Sequence, residues 1–154
     1  MMGVHHGYPE WGIGPKTPDE KVSEWMWPII KGMVIDLLEI EHNYILEGTY
    51  LLPNNLNQLS SEFSKSVRSL YIGYAEITVA DKQEQIKNGA GMQNDWMNGM
   101  ASDDVKNYVE RGIQQSKWAK AQCSELGVKY LDTGREFDRA LESGIEWLSD
   151  EKSQ

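Results

Sequence analysis

The sequence predicts an α/β protein, a helix-rich three-layer α/β/α arrangement around a short parallel sheet. Three observations predict it. Short apolar runs at residues 44–46, 69–72 and 128–131 are bounded by polar or turn-forming residues, as buried strands are. Each run is followed by a stretch of helical periodicity, and that alternation builds a parallel sheet. Each run also ends at a glycine or a carboxylate: Glu47-Gly48, Gly73-Tyr74 and Asp132-Thr133. In open sheets of this class, functional groups gather in the crevice beyond the strand C-termini.

The totals bound the function. A chain of 154 residues fits one domain with one real core. A net charge of −9 argues against nucleic acid and against an anionic membrane surface as partners, because both select basic surfaces. The single cysteine, Cys123, permits no internal disulfide and reads as a small core residue in a helical pattern. No apolar run is long enough to cross a bilayer, and no charged start precedes an apolar block. The expected location is the cytoplasm.

Residues 1–16 read as an N-terminal arm, broken by glycines and prolines. His5 and His6 stand there without other ligands at metal-binding spacing, so no metal site is assigned. Thr17-Pro18-Asp19-Glu20 reads as a capped helix start, and residues 17–150 read as the domain. Val22, Trp25, Met26, Ile29, Ile30, Met33, Val34, Leu37 and Leu38 then mark one broad face of a helix running to about residue 41, with Pro28 as a kink.

Tyr44-Ile45-Leu46 reads as the central strand, with Glu47 at its tip. Pro53 opens a second helix with Leu56, Leu59 and Phe63 inside. Residues 69–72 read as the second strand, so a βαβ unit is expected over this span. Residues 79–88 read as a polar helix ended by glycines. With Asn94-Asp95-Trp96 they form a helical insertion at 79–100, either a lid or an ordinary surface hairpin.

Ser102 is expected to cap the next helix, whose inner stripe is Val105, Tyr108, Val109, Gly112, Ile113, Ser116 and Cys123 and whose stop is Gly127. After the third strand, Asp132 or Thr133 is expected to cap the last helix, with Phe137, Ala140, Leu141, Gly144, Ile145 and Leu148 facing inward.

In order and spacing, Trp27-Pro28-Ile29-Ile30, Tyr44-Ile45-Leu46-Glu47-Gly48, Leu51-Leu52-Pro53, Leu70-Tyr71-Ile72-Gly73-Tyr74, Asn94-Asp95-Trp96, Ser116-Lys117 and Tyr130-Leu131-Asp132-Thr133 carry a resemblance. The chain resembles the C-terminal three-quarters of small P-loop kinases of the adenylate-kinase-like and 2-phosphoglycerate-kinase-like group. The resemblance implies a nucleoside triphosphate hydrolase superfamily fold and a transferase-like chemistry using ATP and magnesium. Glu47 would lie near the phosphate acceptor or magnesium as catalytic residue, and residues 79–100 would close over phosphates. Asp132 and Thr133 would lie near the nucleotide base. Lys82, Lys87 and Lys117 would neutralise phosphate, with Asn94 and Asp95 as further ligand-binding candidates.

The chain contains no G-x-x-x-x-G-K-[ST], and Gly12-Ile13-Gly14-Pro15-Lys16-Thr17 has neither the spacing nor a preceding strand. The lid region has no arginine. A kinase sheet lacking its phosphate-loop strand leaves apolar edges open. Either the sheet closes up, or a second copy covers the gap as a homodimer, or the chain is part of a longer gene product. Three functions follow. The chain is a kinase relative, incomplete as a catalyst without a phosphate-binding loop. Alternatively it is a non-catalytic protein that binds a small molecule or nucleotide, or dimerises. A hydrolase using Glu47 with Asp132 is the third.

Overall fold

In a computed structural model, the described residues are 12–14, 17–40, 42–89, 95 and 97–149. The arm is therefore described only at residues 12–14, and His5, His6 and Asn94 lie outside the described residues. Among the described residues the sheet has two strands where three were expected. β1 (Leu70–Gly73) pairs in parallel with β2 (Lys129–Asp132), with Leu70 opposite Lys129 and Gly73 opposite Asp132. Around it stand α1 (Asp19–Leu38), α2 (Pro53–Glu62), α3 (Val79–Asn88), α4 (Ser102–Leu126) and α5 (Phe137–Ser149). The class is α/β and helix-rich, as expected. The parallel crossover runs from β1 through α3 and α4 to β2, not through α2.

The expected central strand is absent. Residues 43–48 are assigned to no strand, and Ile45 is 89% exposed. No backbone hydrogen bond joins residues 43–47 to another described residue. An apolar run becomes a strand only where an edge accepts its N–H and C=O groups. Here the described strands pair only with each other, and this run joins neither of their outer edges. Glu47 consequently sits on an exposed segment outside helix and strand, not at the tip of a buried strand.

The core follows α4. Val109, Ile113, Ala119 and Cys123 are buried along it, and Ile77, Val109 and Ile113 form a cluster with Tyr74, Val79, Ile86 and Val105 packed around it. The few apolar residues of α3 thus serve to dock it on α4. In register, Tyr71 and Tyr130 share one face of the sheet and stack at 6.2 Å. Leu70 and Leu131 point the other way, onto α5 at Gly144. There the helix backbone comes so close that a Cβ would lie 3.0 Å from Leu131 Cδ2. Asn55 links α2 to α1. Its Oδ1 accepts the Leu52 N–H at 3.0 Å and lies 2.8 Å from Ser23 Oγ, whose single proton it shares with the Tyr50 carbonyl.

Three expected caps are not made. Thr17 Oγ1 accepts the Gly14 N–H, and α1 begins after Pro18 with no side-chain cap. α4 begins after Ala101, so Ser102 is its first residue, also without a side-chain cap. The first α5 backbone bond runs to the Glu136 carbonyl, so neither Asp132 nor Thr133 caps that helix. Gly127 does end α4, in the left-handed conformation at φ 70°.

The expected inner stripes of α1 and α5 are also largely outside. Trp25, Ile29, Met33 and Leu38 are exposed on α1, where only Val22, Ser23 and Val34 are buried. On α5, Phe137, Leu141, Ile145 and Leu148 are exposed, and Gly144 alone is buried. An amphipathic pattern states that a face prefers burial; it does not supply the surface that buries it.

Candidate functional site

The two strand ends meet at a crest made from residues 73–78 and 132–135. Asp132 ties it together. Its Oδ2 accepts the N–H groups of Ala75 (2.9 Å) and Glu76 (3.2 Å), and its Oδ1 accepts the N–H of Gly134 (2.9 Å). Thr133 adds two bonds to the Gly73 carbonyl, from its N–H at 2.7 Å and its hydroxyl at 3.1 Å. A carboxylate that accepts three backbone amides is a clamp: it fixes the loop after β1 to the turn after β2.

The walls of the crest come from α3 and α4. Lys82 places its ammonium 4.7 Å from the centre of the Tyr74 ring and donates to Gln85 Oε1. Burial depresses the Lys82 pKa, and the nearby Asp132 charge opposes that effect. Gln85 reaches the Gly134 carbonyl at 2.9 Å, which joins α3 to the β2 turn. Ser116 Oγ of α4 accepts the Tyr74 N–H. Lys120 pairs with Glu76 and, by hydrogen bond and charge, holds that carboxyl below its ordinary range. Arg135 donates to the Glu76 carbonyl at 2.8 Å.

Two glycines let this wall close. A Cβ on Gly73 would collide with the Tyr130 hydroxyl, and one on Gly112 would collide with that of Tyr74. The buried Tyr130 Oη makes no well-formed hydrogen bond among the described residues. Burial, followed by the Asp132 charge, pushes its pKa up to about 12. Tyr74 is raised as well, by burial and then by Tyr108.

Of the residues picked from the sequence, the structure brings together Lys82, Asp132 and Thr133. Glu47 is exposed and makes no hydrogen bond or ion pair among the described residues. Lys87 lies exposed near the far end of α3, and Lys117 is exposed on α4 next to buried Ser116. Asp95 Oδ1 accepts the Met97 N–H at 3.1 Å, a local turn. Sequence reasoning missed Glu76, Ser116, Lys120 and Arg135. The helical stripe of α4 already placed Ser116 inward; the other three carried no signal, being single charged residues outside any motif.

Chemically, the crest holds backbone in place and offers little else. Both Asp132 oxygens are occupied, and no group of three or more His, Cys, Asp or Glu able to hold a metal occurs among the described residues. The crest's two carboxylates are thus already engaged, Asp132 with three amides and Glu76 with Lys120. A separate shallow pocket of about 230 Å³ is lined by Asp19, Glu20, Leu52, Gln115 and Trp118, none of which belongs to the crest. No described helix is long and apolar enough to cross a membrane.

Fold and crest together define a helix-rich α/β protein with a carboxylate-clamped strand-end turn. No protein-family model, curated protein or solved structure matches the chain.

Proposed function

We propose that the chain is a kinase-like α/β unit that is catalytically incomplete by itself and acts as a binding partner. In this reading its two strands and flanking helices are part of a three-layer P-loop fold, and the crest lies where such a fold places a nucleotide base. The carrying observation is the hydrogen bonding of Asp132: this carboxylate at the end of β2 accepts the Ala75, Glu76 and Gly134 amides. Holding the loop after β1 to the turn after β2 supports a structural role for this carboxylate over that of a general base. Glu47, the intended base, stands exposed on a separate segment.

Phosphate chemistry also needs converging donors. Lys82 is held over Tyr74, while Lys87 and Lys117 are exposed elsewhere. ATP and magnesium thus belong to the reading only with a phosphate-binding loop supplied from outside the described residues. The test is a titration with magnesium-ATP, following tryptophan fluorescence and ATP hydrolysis. The expected result is no saturable binding below millimolar nucleotide and no turnover. Turnover abolished by Glu47→Gln would overturn the proposal.

The alternative, an interaction protein with no nucleotide ligand, is favoured by the exposed apolar faces of α1 and α5. Monomeric proteins rarely leave such surface uncovered.

A further inference from the structure

The outer edge of β1 has no partner among the described residues, where the sheet order is β1-β2. On that strand Ile72 is 54% exposed. By register it shares a face with Leu70 and Leu131, the face that α5 partly covers. α5 rests chiefly on β2, and Phe137, Leu141 and Ile145 remain exposed along it. The sheet therefore ends in an unpaired edge flanked by uncovered apolar side chains. An exposed apolar edge of this kind is a template for another strand.

The same chain carries the complement. Residues 43–48 are exposed, lie outside helix and strand and are apolar at Tyr44-Ile45-Leu46, and residues 43–47 have no backbone hydrogen bond to other described residues. An edge lacking a strand and an exposed apolar segment lacking an edge occur in one molecule. We propose that two copies of the chain pair reciprocally, residues 43–48 of each adding as a strand to the free edge of β1 in the other. A two-fold arrangement satisfies both copies at once, since each gives and receives one strand.

The area suits this occupant. The exposed parts of Tyr44, Ile45, Ile72, Phe137, Leu141 and Ile145 amount to roughly 700 Å², close to the ~800 Å² that each partner brings to a stable interface. Both copies are acidic, at −9 each, so added salt should strengthen the pairing by screening repulsion.

Sedimentation equilibrium on the full chain tests the proposal. The expected species is a dimer, favoured by salt, and Ile45→Lys should weaken association roughly tenfold or more. Ile45 is 89% exposed, so that substitution leaves the monomer fold intact. A second measurement fixes the geometry. Cys123 is buried, so introduced thiols can be followed alone. Mixing Ile45→Cys copies with Ile72→Cys copies under oxidation should give mixed disulfide dimers in preference to same-variant ones. A wild-type chain that stays monomeric at every concentration, or only same-variant crosslinks, would overturn the proposal.

Discussion

Along α4, Val109 is 1% exposed and Cys123 is wholly buried, whereas along α5 Ile145 is 64% exposed. Both helices carry an apolar stripe at helical spacing. The difference lies in what each stripe meets. α4 contacts α2, α3, β1 and β2, so its stripe is covered along its length. α5 rests on a sheet only two strands wide, and its stripe overhangs it. α1 repeats the lesson: Val22 and Val34 are buried while Ile29 and Met33 are not. A half closed around β1, β2, α3 and α4 thus stands beside a half with open faces at α1, residues 43–48 and α5. Stability should reside in the first and association in the second.

Substitutions can break that division. The largest effect is expected in the closed half: Ile113→Ala should cost about 2–5 kcal/mol in denaturant unfolding, since it empties a buried site. Ile145→Ala should change monomer stability by no more than about 0.5 kcal/mol, as for an exposed position. Equal effects at the two sites would erase the distinction.

Glycines sharpen it. Gly112→Ala drives a methyl into the Tyr74 hydroxyl and should cost about 1–3 kcal/mol. Gly32→Ala, in α1 with nothing within 4 Å of the new Cβ, should instead stabilise by about 0.5–1 kcal/mol. The two substitutions have the same helical chemistry and opposite expected signs.

The crest clamp comes next. Asp132→Ala strands three amides and should cost about 1–3 kcal/mol, with the loop after β1 becoming mobile. Glu47→Ala should leave stability unchanged.

The smallest effect is with pH. Burial raises the Cys123 thiol from 9.0 to about 11, and Tyr130 rises from 10.0 to about 12. Both groups ionise first in the unfolded chain. Their stabilisation is therefore complete below pH 9 and is lost as pH rises through 11 and 12. Cys123→Ala should remove the lower part of this alkaline loss, measured by unfolding at stepped pH.

How much of this was legible follows the same boundary. The two strands that pair were readable to within one residue, because Leu70-Tyr71-Ile72 and Tyr130-Leu131 are apolar runs closed by turn residues. The α4 stripe was readable because its periodicity matches a surface that exists. Ala119 was missed there as too small to register as apolar. Residues 44–46 carry an equally good strand pattern and form no strand, since pairing depends on a partner that local sequence does not encode. At the crest, Asp132 and Thr133 were expected in the turn after the third strand, and the structure puts Asp132 at the end of β2 and Thr133 just beyond it. Their roles were not legible, because a cap and a cross-loop clamp use the same residue types and differ only in which amide lies nearby. Glu76, Lys120 and Arg135 were illegible, as their contacts join elements far apart in the chain.

The claim beneath all of this is that residues 43–47 lack a backbone hydrogen-bond partner among the described residues of their own chain. Amide hydrogen exchange, read by peptide mass at two protein concentrations, tests it directly. In dilute solution residues 43–48 should exchange at the rate of unstructured backbone while residues 109–123 of α4 stay protected, and concentration should slow only the former. Strong protection of residues 43–48 in the dilute monomer would show a strand formed within one chain and contradict the account.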